Sequence, residues 1–345
     1  MRTLRVSGVA VRVHVRACVV VACLAAAAAG LGLLALSTGT AVSPAGALRT
    51  LLGRGDAASE LVVYAFRAPR TLLALLVGAA LGTGGAVVQS LSRNPLGSPD
   101  VIGVNAGAAA GAVLMLLVVG GASTTAVSLA SLACGLGSGL LVYALSFRHG
   151  VQGARLVLVG VGVTAMLNAL ISYLLTRAEL DDAQGAKVWL IGSLAGAGWD
   201  RVWPVALAVA AALPAALATS RAAALMEMGD AAAGALGVRV ERLRLTLLLA
   251  AVGLSGVAVS CAGPISFVAL AAPQLARRLT RAPGPGVAAS AAMGALLLVA
   301  ADLLAQRLPT PGQLPVGVLT AGVGGLYLAW LLHREWRPSR WAGRG

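Results

Sequence analysis

Long apolar stretches alternate with short polar segments along almost the whole chain. A membrane-spanning helix requires roughly 20 apolar residues, and most of these stretches approach that length. One of them, 266–279, is shorter and contains Pro273, so we predict a partial or broken span there. Ten spans are predicted in all, over residues 17–36, 69–91, 101–119, 125–146, 154–176, 202–220, 243–261, 266–279, 286–305 and 315–333.

The composition supports a membrane protein. Of 345 residues, 59% are hydrophobic and 11% are charged, whereas a soluble domain has about 25% charged residues. The net charge of +14 comes almost wholly from arginine, and the one lysine is Lys187. A basic balance is also typical of nucleic-acid binding. Here the arginines cluster between apolar runs, which favours membrane orientation and predicts no nucleic-acid partner.

The distribution of basic residues predicts the orientation of the chain. If the N-terminus is cytoplasmic and the spans alternate, most of the 26 basic residues fall in cytoplasmic segments, as the positive-inside rule expects. This predicts a cytoplasmic tail over 1–16, a transmembrane domain over 17–334 and a cytoplasmic tail over 335–345. Eight basic residues remain outside: Arg49, Arg54, Arg67, Arg70, Arg177, Lys187, Arg201 and Arg307.

Glycines recur at every fourth position in several spans. In lipid, small residues at this spacing allow helix backbones to approach closely. We expect close packing at Gly78 and Gly82, at Gly103, Gly107 and Gly111, and at Gly135 and Gly139.

One sizeable cytoplasmic loop is predicted, at about 219–242. Its sequence is rich in alanine, contains acidic residues, and in "GALGVRVERLR" indicates a helix that ends at Gly237 before a new helix starts. A short helix at this face suits docking to a soluble partner. A passive amphipathic surface helix is the alternative.

The chain lacks the residues of an energy-coupling site. A P-loop needs a lysine followed by Ser or Thr, but Lys187 is followed by Val188. Ion-driven carriers usually hold carboxylates or histidines within their spans. Asp302 is the one acidic residue deep in a predicted span. The sequence therefore disfavours an ion-driven secondary carrier, and it contains no catalytic triad, metal-ligand spacing or cofactor motif, so we predict neither an enzyme nor a bound cofactor.

Few polar residues lie inside the predicted spans. Asn168 and Ser172 are four residues apart, so they share one face of the fifth span. Such groups either line a water-filled path or form hydrogen bonds between helices.

Five segments resemble the FecCD-type permease family. They are "RAPRTLLALLVGAALGTGGAVVQSLSRNPLGSPDVIGVNAGAAAGAVL" (67–114), "WLIGSLAGAGW" (189–199), "ALGVRVERLRL" (235–245), "AGPISFVALAAPQLARRL" (262–279) and "LPVGVLTAGVGGLYLAWLLHR" (314–334). The resemblance implies the permease fold of type II ATP-binding-cassette importers. It also implies import of ferric siderophore across the cytoplasmic membrane, with cobalamin or haem as the alternative cargo.

The same resemblance implies partners and site residues. The partners are a cytoplasmic ATP-binding subunit, an external substrate-binding protein, and a second permease in a homodimer or heterodimer. The resemblance places the contact with the ATPase at Glu227, Met228, Ala233, Leu236 and Gly237. The inner gate falls near Gln152 and Gly153, without the hydroxyl common in the family, and the fifth span with Asn168 and Ser172 lines the path. Docking of the binding protein is assigned to Arg67, Arg70 and Arg307, with the register at Arg307 against Gln306 left open.

Two other functional classes can be distinguished by experiment. An ion-driven carrier would transport without an ATPase and would stop when an ionophore collapses the gradient. A non-transporting scaffold would keep uptake unchanged, and would lose a partner complex, when Glu227→Arg is combined with truncation of the 219–242 loop.

Overall fold

Apolar residues occupy the helices of this chain on nearly all sides, as expected for helices whose surroundings are lipid or other apolar helices. The computed structural model describes residues 2–6, 9–37, 43–147, 153–308 and 313–335. A short antiparallel hairpin comes first, formed by β1 (Arg2–Val6) and β2 (Val9–Val13).

The remainder of the described chain is helical. Seven helices run through the first half and continue to residue 177. They are α1 (Val15–Leu36), α2 (Pro44–Leu51), α3 (Ala57–Glu60), α4 (Ala68–Ser92), α5 (Val104–Leu114), α6 (Thr124–Ser146) and α7 (Gly153–Arg177). Seven more follow: α8 (Leu180–Ile191), α9 (Trp199–Glu227), α10 (Asp230–Ala235), α11 (Val240–Ala262), α12 (Val268–Thr280), α13 (Val287–Arg307) and α14 (Val316–Glu335). Two π-helical segments, Leu61–Arg67 and Met115–Val119, lead into α4 and extend α5.

Each of the ten predicted spans coincides with one of these helices, which confirms the all-α membrane fold class. Seven helices in the described part of the chain are long and apolar enough to cross a membrane by themselves. The remaining three spans are the shorter apolar segments Val104–Val119 and Val316–Trp330 and the 13-residue α12. The shortness of α12 has a local cause, because Gly263 and Phe267 both adopt positive φ (73° and 69°) and hold residues 263–267 out of the helix.

Three elements differ from the sequence-based expectation. Helix α9 continues to Glu227, about two turns beyond the predicted span. Helix α8 begins three residues after α7 ends and was not predicted. Its charged residues Asp181, Asp182 and Lys187 interrupt any apolar pattern. The β1–β2 hairpin lies where a tail was predicted.

Helix α4 forms the centre of the bundle. In the continuous helical segment Ala57–Ser92, 78% of the most apolar stretch is buried, compared with 17% in α7 and in α9. Its neighbours α11 and α13 are also mostly buried. Helices α7 and α9 therefore lie at the periphery, with broad faces open to lipid or to another protein.

Small residues allow the closest helix contacts, as predicted. Gly78 of α4 lies against the backbone of Gly294 in α13, and Gly107 of α5 lies against Ser138 of α6. A Cβ atom at either glycine would collide with these neighbours. Gly103 differs: it precedes α5 with φ of 85°, so this position requires glycine for its left-handed backbone rather than for close contact.

Candidate functional site

The predicted site residues lie at opposite ends of the bundle. At one end α1, α11 and α13 finish and α4 and α9 begin; we call this the Arg70 end. The indole Nε1 of Trp199 donates to the carbonyl of Tyr64 there (2.9 Å), which ties α9 to the start of α4. At the other end α4 and α9 finish, α10 lies and α11 begins; we call this the Asp230 end.

At the Arg70 end, Arg70 takes part in a buried ion pair. Its Nη2 lies 2.9 Å from Oδ1 of Asp302, and its Nε lies 3.1 Å from Oδ2. The side chain of Asp302 is 2% exposed. Gln306 donates to the same carboxylate (2.7 Å), and Nη1 of Arg70 donates to Oε1 of Gln313 (2.8 Å). This network joins α4, α13 and the segment before α14, so the guanidinium of Arg70 is held inside the chain.

The two other predicted docking arginines are more accessible. Arg67 is half-buried and donates from Nη1 to the carbonyl of Leu36 (2.7 Å). That carbonyl belongs to the last residue of α1, where helical carbonyls lack an intrahelical partner and a cation is favourable. Arg307 is exposed at the end of α13. Docking by these residues stays a prediction, and the geometry separates Arg67 and Arg307 from the internally paired Arg70.

Two of the predicted path residues, Asn168 and Ser172, lie on the open side of α7. Asn168 and Ser172 are both exposed, and Gly153 is the first residue of the helix. Gln152 lies outside the described residues.

The structure adds Thr164 to the same face, four residues before Asn168. Its Oγ1 is buried with no partner in the described part of the chain, close to Gly103 at the start of α5. The spacing of four residues in the sequence could have identified it. A line of polar groups therefore runs along α7 from a buried position to an exposed face.

At the Asp230 end, the predicted contact residues extend from the end of α9 over the short helix α10 to Gly237. The side chains of Met228 and Leu236 are 63% and 62% exposed. Gly237 has φ of 84°, and the N–H of Val238 donates to the carbonyl of Ala233 (3.0 Å), which is the usual left-handed end of a helix. The predicted helix end at Gly237 is thus confirmed. The side chain of Ala233 is fully buried, so it packs under the helix and does not reach the surface.

Glu227 also faces inward. Its Oε1 accepts a hydrogen bond from Ser90 Oγ of α4 (2.9 Å) and lies 3.3 Å from Nη2 of Arg277 in α12. The carboxylate therefore links the end of α9 to two neighbouring helices, and Met228 and Leu236 provide the exposed apolar surface.

Asp230 anchors the short helix α10, and sequence analysis missed it. It accepts from Arg244 Nη2 of α11 (2.7 Å) and pairs with Arg93, which ends α4 and also donates to the carbonyl of Met226 (3.0 Å). Burial alone would raise the pKa of Asp230, but the hydrogen bonds and charges of Arg244 and Arg93 hold that pKa below its ordinary value. No local signal identified it, because Arg93 is 137 residues away in sequence.

Comparison with known proteins is consistent with this arrangement. Residues 7–334 match the model of the FecCD transport family. The chain is 48% identical over 289 residues to the ferric enterobactin transport system permease protein FepG of Escherichia coli (strain K12), covering 84% of this chain and 87% of that one. It is 37% identical over 304 residues to the iron(3+)-hydroxamate import system permease protein FhuG of Bacillus subtilis (strain 168), covering 85% and 90%.

A solved structure also resembles the fold. It is described as an inward-facing conformation of a transporter assigned to the metal-chelate ABC type. The TM-score is 0.78 at 26% identity, and the match covers 92% of this chain and 99% of the other.

Proposed function

Because this chain belongs to the FecCD transport family, we propose that it is the membrane permease subunit of an ATP-binding-cassette importer that carries ferric siderophores across the cytoplasmic membrane. The observation that carries this proposal is the family match over 7–334 together with a bundle whose helices cover all ten predicted spans. The relatives named above are permease proteins of a ferric enterobactin transport system and an iron(3+)-hydroxamate import system.

A separate subunit supplies the ATP hydrolysis in this proposal. The chain has no P-loop lysine, and the exposed side chains of Met228 and Leu236 offer an apolar contact at the Asp230 end. The ion pairs of Asp230 connect that contact to α4 and α11. Closure of the ATPase would therefore tilt these helices as a rigid group.

The Asp230 end faces the cytoplasm in this proposal, and the Arg70 end faces outward. The positive-inside rule supports this orientation. The described arginines at or near the Asp230 end include Arg16, Arg93, Arg155, Arg221, Arg239, Arg242, Arg244, Arg277, Arg278 and Arg281.

The path runs between two permease subunits in this proposal. The open face of α7 with Asn168 and Ser172 would border it, because polar groups in a membrane favour a water-filled space. The second subunit is either a copy of this chain or a related permease.

An external binding protein docks at the outer face, with Arg67 and Arg307 as the main contacts. Replacing both arginines with glutamate is expected to weaken docking at least tenfold, because charge pairs with acidic residues of the partner become repulsive. Arg49 and Arg54, exposed at the same end, provide a matched double-glutamate control. The measurement is the affinity of purified binding protein for the assembled complex, with basal ATP hydrolysis as a check on assembly. Equal affinity in the wild type, the variant and the control would contradict this role.

Cargo identity is tested by uptake in a strain that lacks the gene. Cells carrying the wild-type gene are expected to restore accumulation of labelled ferric siderophore, with labelled cobalamin and haem unchanged. If the gene restored uptake of cobalamin or haem and left iron uptake at the level of the deletion strain, the siderophore assignment would be wrong. The assignment as an importer would still hold.

A further inference from the structure

A mixed polar and apolar cavity of about 380 Å³ opens at the Arg70 end. Two of the family-like segments, "WLIGSLAGAGW" and "AGPISF", meet at its wall. The N–H of Ser193 donates to the carbonyl of Ala262 (2.8 Å), and Gly263, at φ of 73°, allows that chain to pass against the carbonyl of Trp189. A backbone hydrogen bond and a close approach at Gly263 therefore hold the two segments together at the wall.

The cavity contains a cation without a counter-ion. Arg201 lines it and is half-buried, and in the described residues it forms no salt bridge and no side-chain hydrogen bond. The adjacent Asp200 forms no salt bridge with Arg201, and its Oδ1 lies close to Gly198 at the start of α9. Arg70, at the same end of the bundle, is by contrast fully paired with Asp302. A partly desolvated charge is costly unless an anion accompanies it.

Four residues with hydroxyl groups line the same cavity: Thr124, Ser128, Ser193 and Ser260. The hydroxyl of Ser260 already donates to the carbonyl of Val257 (2.9 Å). Ser193 Oγ already accepts from the N–H of Ala195 (3.1 Å), so its own O–H is available to donate. An arginine fork with nearby hydroxyl donors suits a ligand with two adjacent anionic oxygens. The indole of Trp189, also in the lining, offers a flat apolar wall.

We propose that this cavity, the Arg201 cavity, binds one anionic oxygen-bearing arm of the cargo, a catecholate or carboxylate, as the chelate enters from the outer side. This proposal rests on the proposed function and names a recognition site for that cargo. Small-ligand cavities usually measure about 300–1,000 Å³, so 380 Å³ suits one arm of a chelate better than a whole ferric siderophore. At this point the arm would no longer contact the binding protein. Arg201 would then replace the group of that protein that had paired with the charge of the arm.

The first test measures charge preference inside the cavity. Ser128 is replaced with cysteine in the assembled complex, with the four native cysteines replaced by serine, and modified with methanethiosulfonates of opposite charge. With Arg201 present, the negative reagent is expected to react about tenfold faster than the positive one, after correction for their intrinsic rates. Arg201→Gln should remove the preference and Arg201→Lys should retain part of it, while Lys187→Gln, exposed on α8, should leave it intact. No preference in the wild-type background would overturn the proposal.

The second test identifies the source of the anion. During ATP-driven import, ferric tricatecholate is expected to slow modification of the Ser128→Cys complex at least threefold, and Arg201→Gln should raise the KM for that chelate with docking of the unloaded binding protein unchanged. If the unloaded binding protein protects the cysteine equally, or if its docking weakens in Arg201→Gln, the anion is a carboxylate of that protein and the chelate assignment is wrong. Loss of iron uptake in the wild-type complex, with the charge preference intact, would instead count against the proposed function alone.

Discussion

Replacing Leu236 with aspartate is expected to separate this permease from its ATPase. The leucine side chain is 62% exposed on the short helix at the Asp230 end, so the change removes an apolar contact without disturbing the core. Central apolar contacts at interfaces contribute about 2 kcal/mol or more, which corresponds to at least a 30-fold loss of affinity. ATP-driven uptake should fall with it. The measurement is co-purification with the ATP-binding subunit, alongside uptake.

A matched control separates this effect from misfolding. Leu180 is 73% exposed at the start of α8, at the opposite end of the bundle. Leu180→Asp should leave both co-purification and the unfolding midpoint unchanged. Normal ATPase binding by Leu236→Asp would show that α10 is a passive surface helix.

Breaking the pair between Arg70 and Asp302 is expected to destabilise the protein strongly. Asp302→Ala leaves a guanidinium whose side chain is only 14% exposed without its counter-ion. Loss of one partner from a buried pair costs about 3–5 kcal/mol. Replacing both partners, as Arg70→Met with Asp302→Leu, should restore most of the stability because no buried charge remains. A double-mutant cycle on the free energy of unfolding in detergent measures the coupling.

The same cycle separates structure from docking at Arg70. The stable double variant should bind the external protein with nearly wild-type affinity if Arg70 only positions the helices. Weak docking by a stable double variant would show that Arg70 also contacts the binding protein. An Asp302→Ala variant as stable as the wild type would contradict the buried-pair account itself.

The sequence predicted the spans well because lipid imposes a simple rule on length and polarity. It missed α8, whose charged residues Asp181, Asp182 and Lys187 interrupt any apolar pattern. It also predicted close helix packing at Gly103, where the positive φ, not a close contact, requires glycine.

Side-chain partners were harder to predict than helices. Arg70 and Asp302 are 232 residues apart, so no local pattern joins them. Asp230 and Arg93, and likewise Glu227 and Ser90, are 137 residues apart in sequence, so no local pattern predicted these contacts either. The family resemblance assigned both Leu236 and Ala233 to the contact with the ATPase, and it could not distinguish the exposed leucine from the buried alanine.

ATP-driven transport in a reconstituted system tests the central claim most directly. The permease is placed in liposomes with its ATP-binding subunit and external binding protein, and uptake of labelled ferric siderophore is followed. We predict uptake that requires ATP and both partners and that persists when an ionophore removes ion gradients. Uptake that proceeds without ATP and stops with the ionophore would contradict the account.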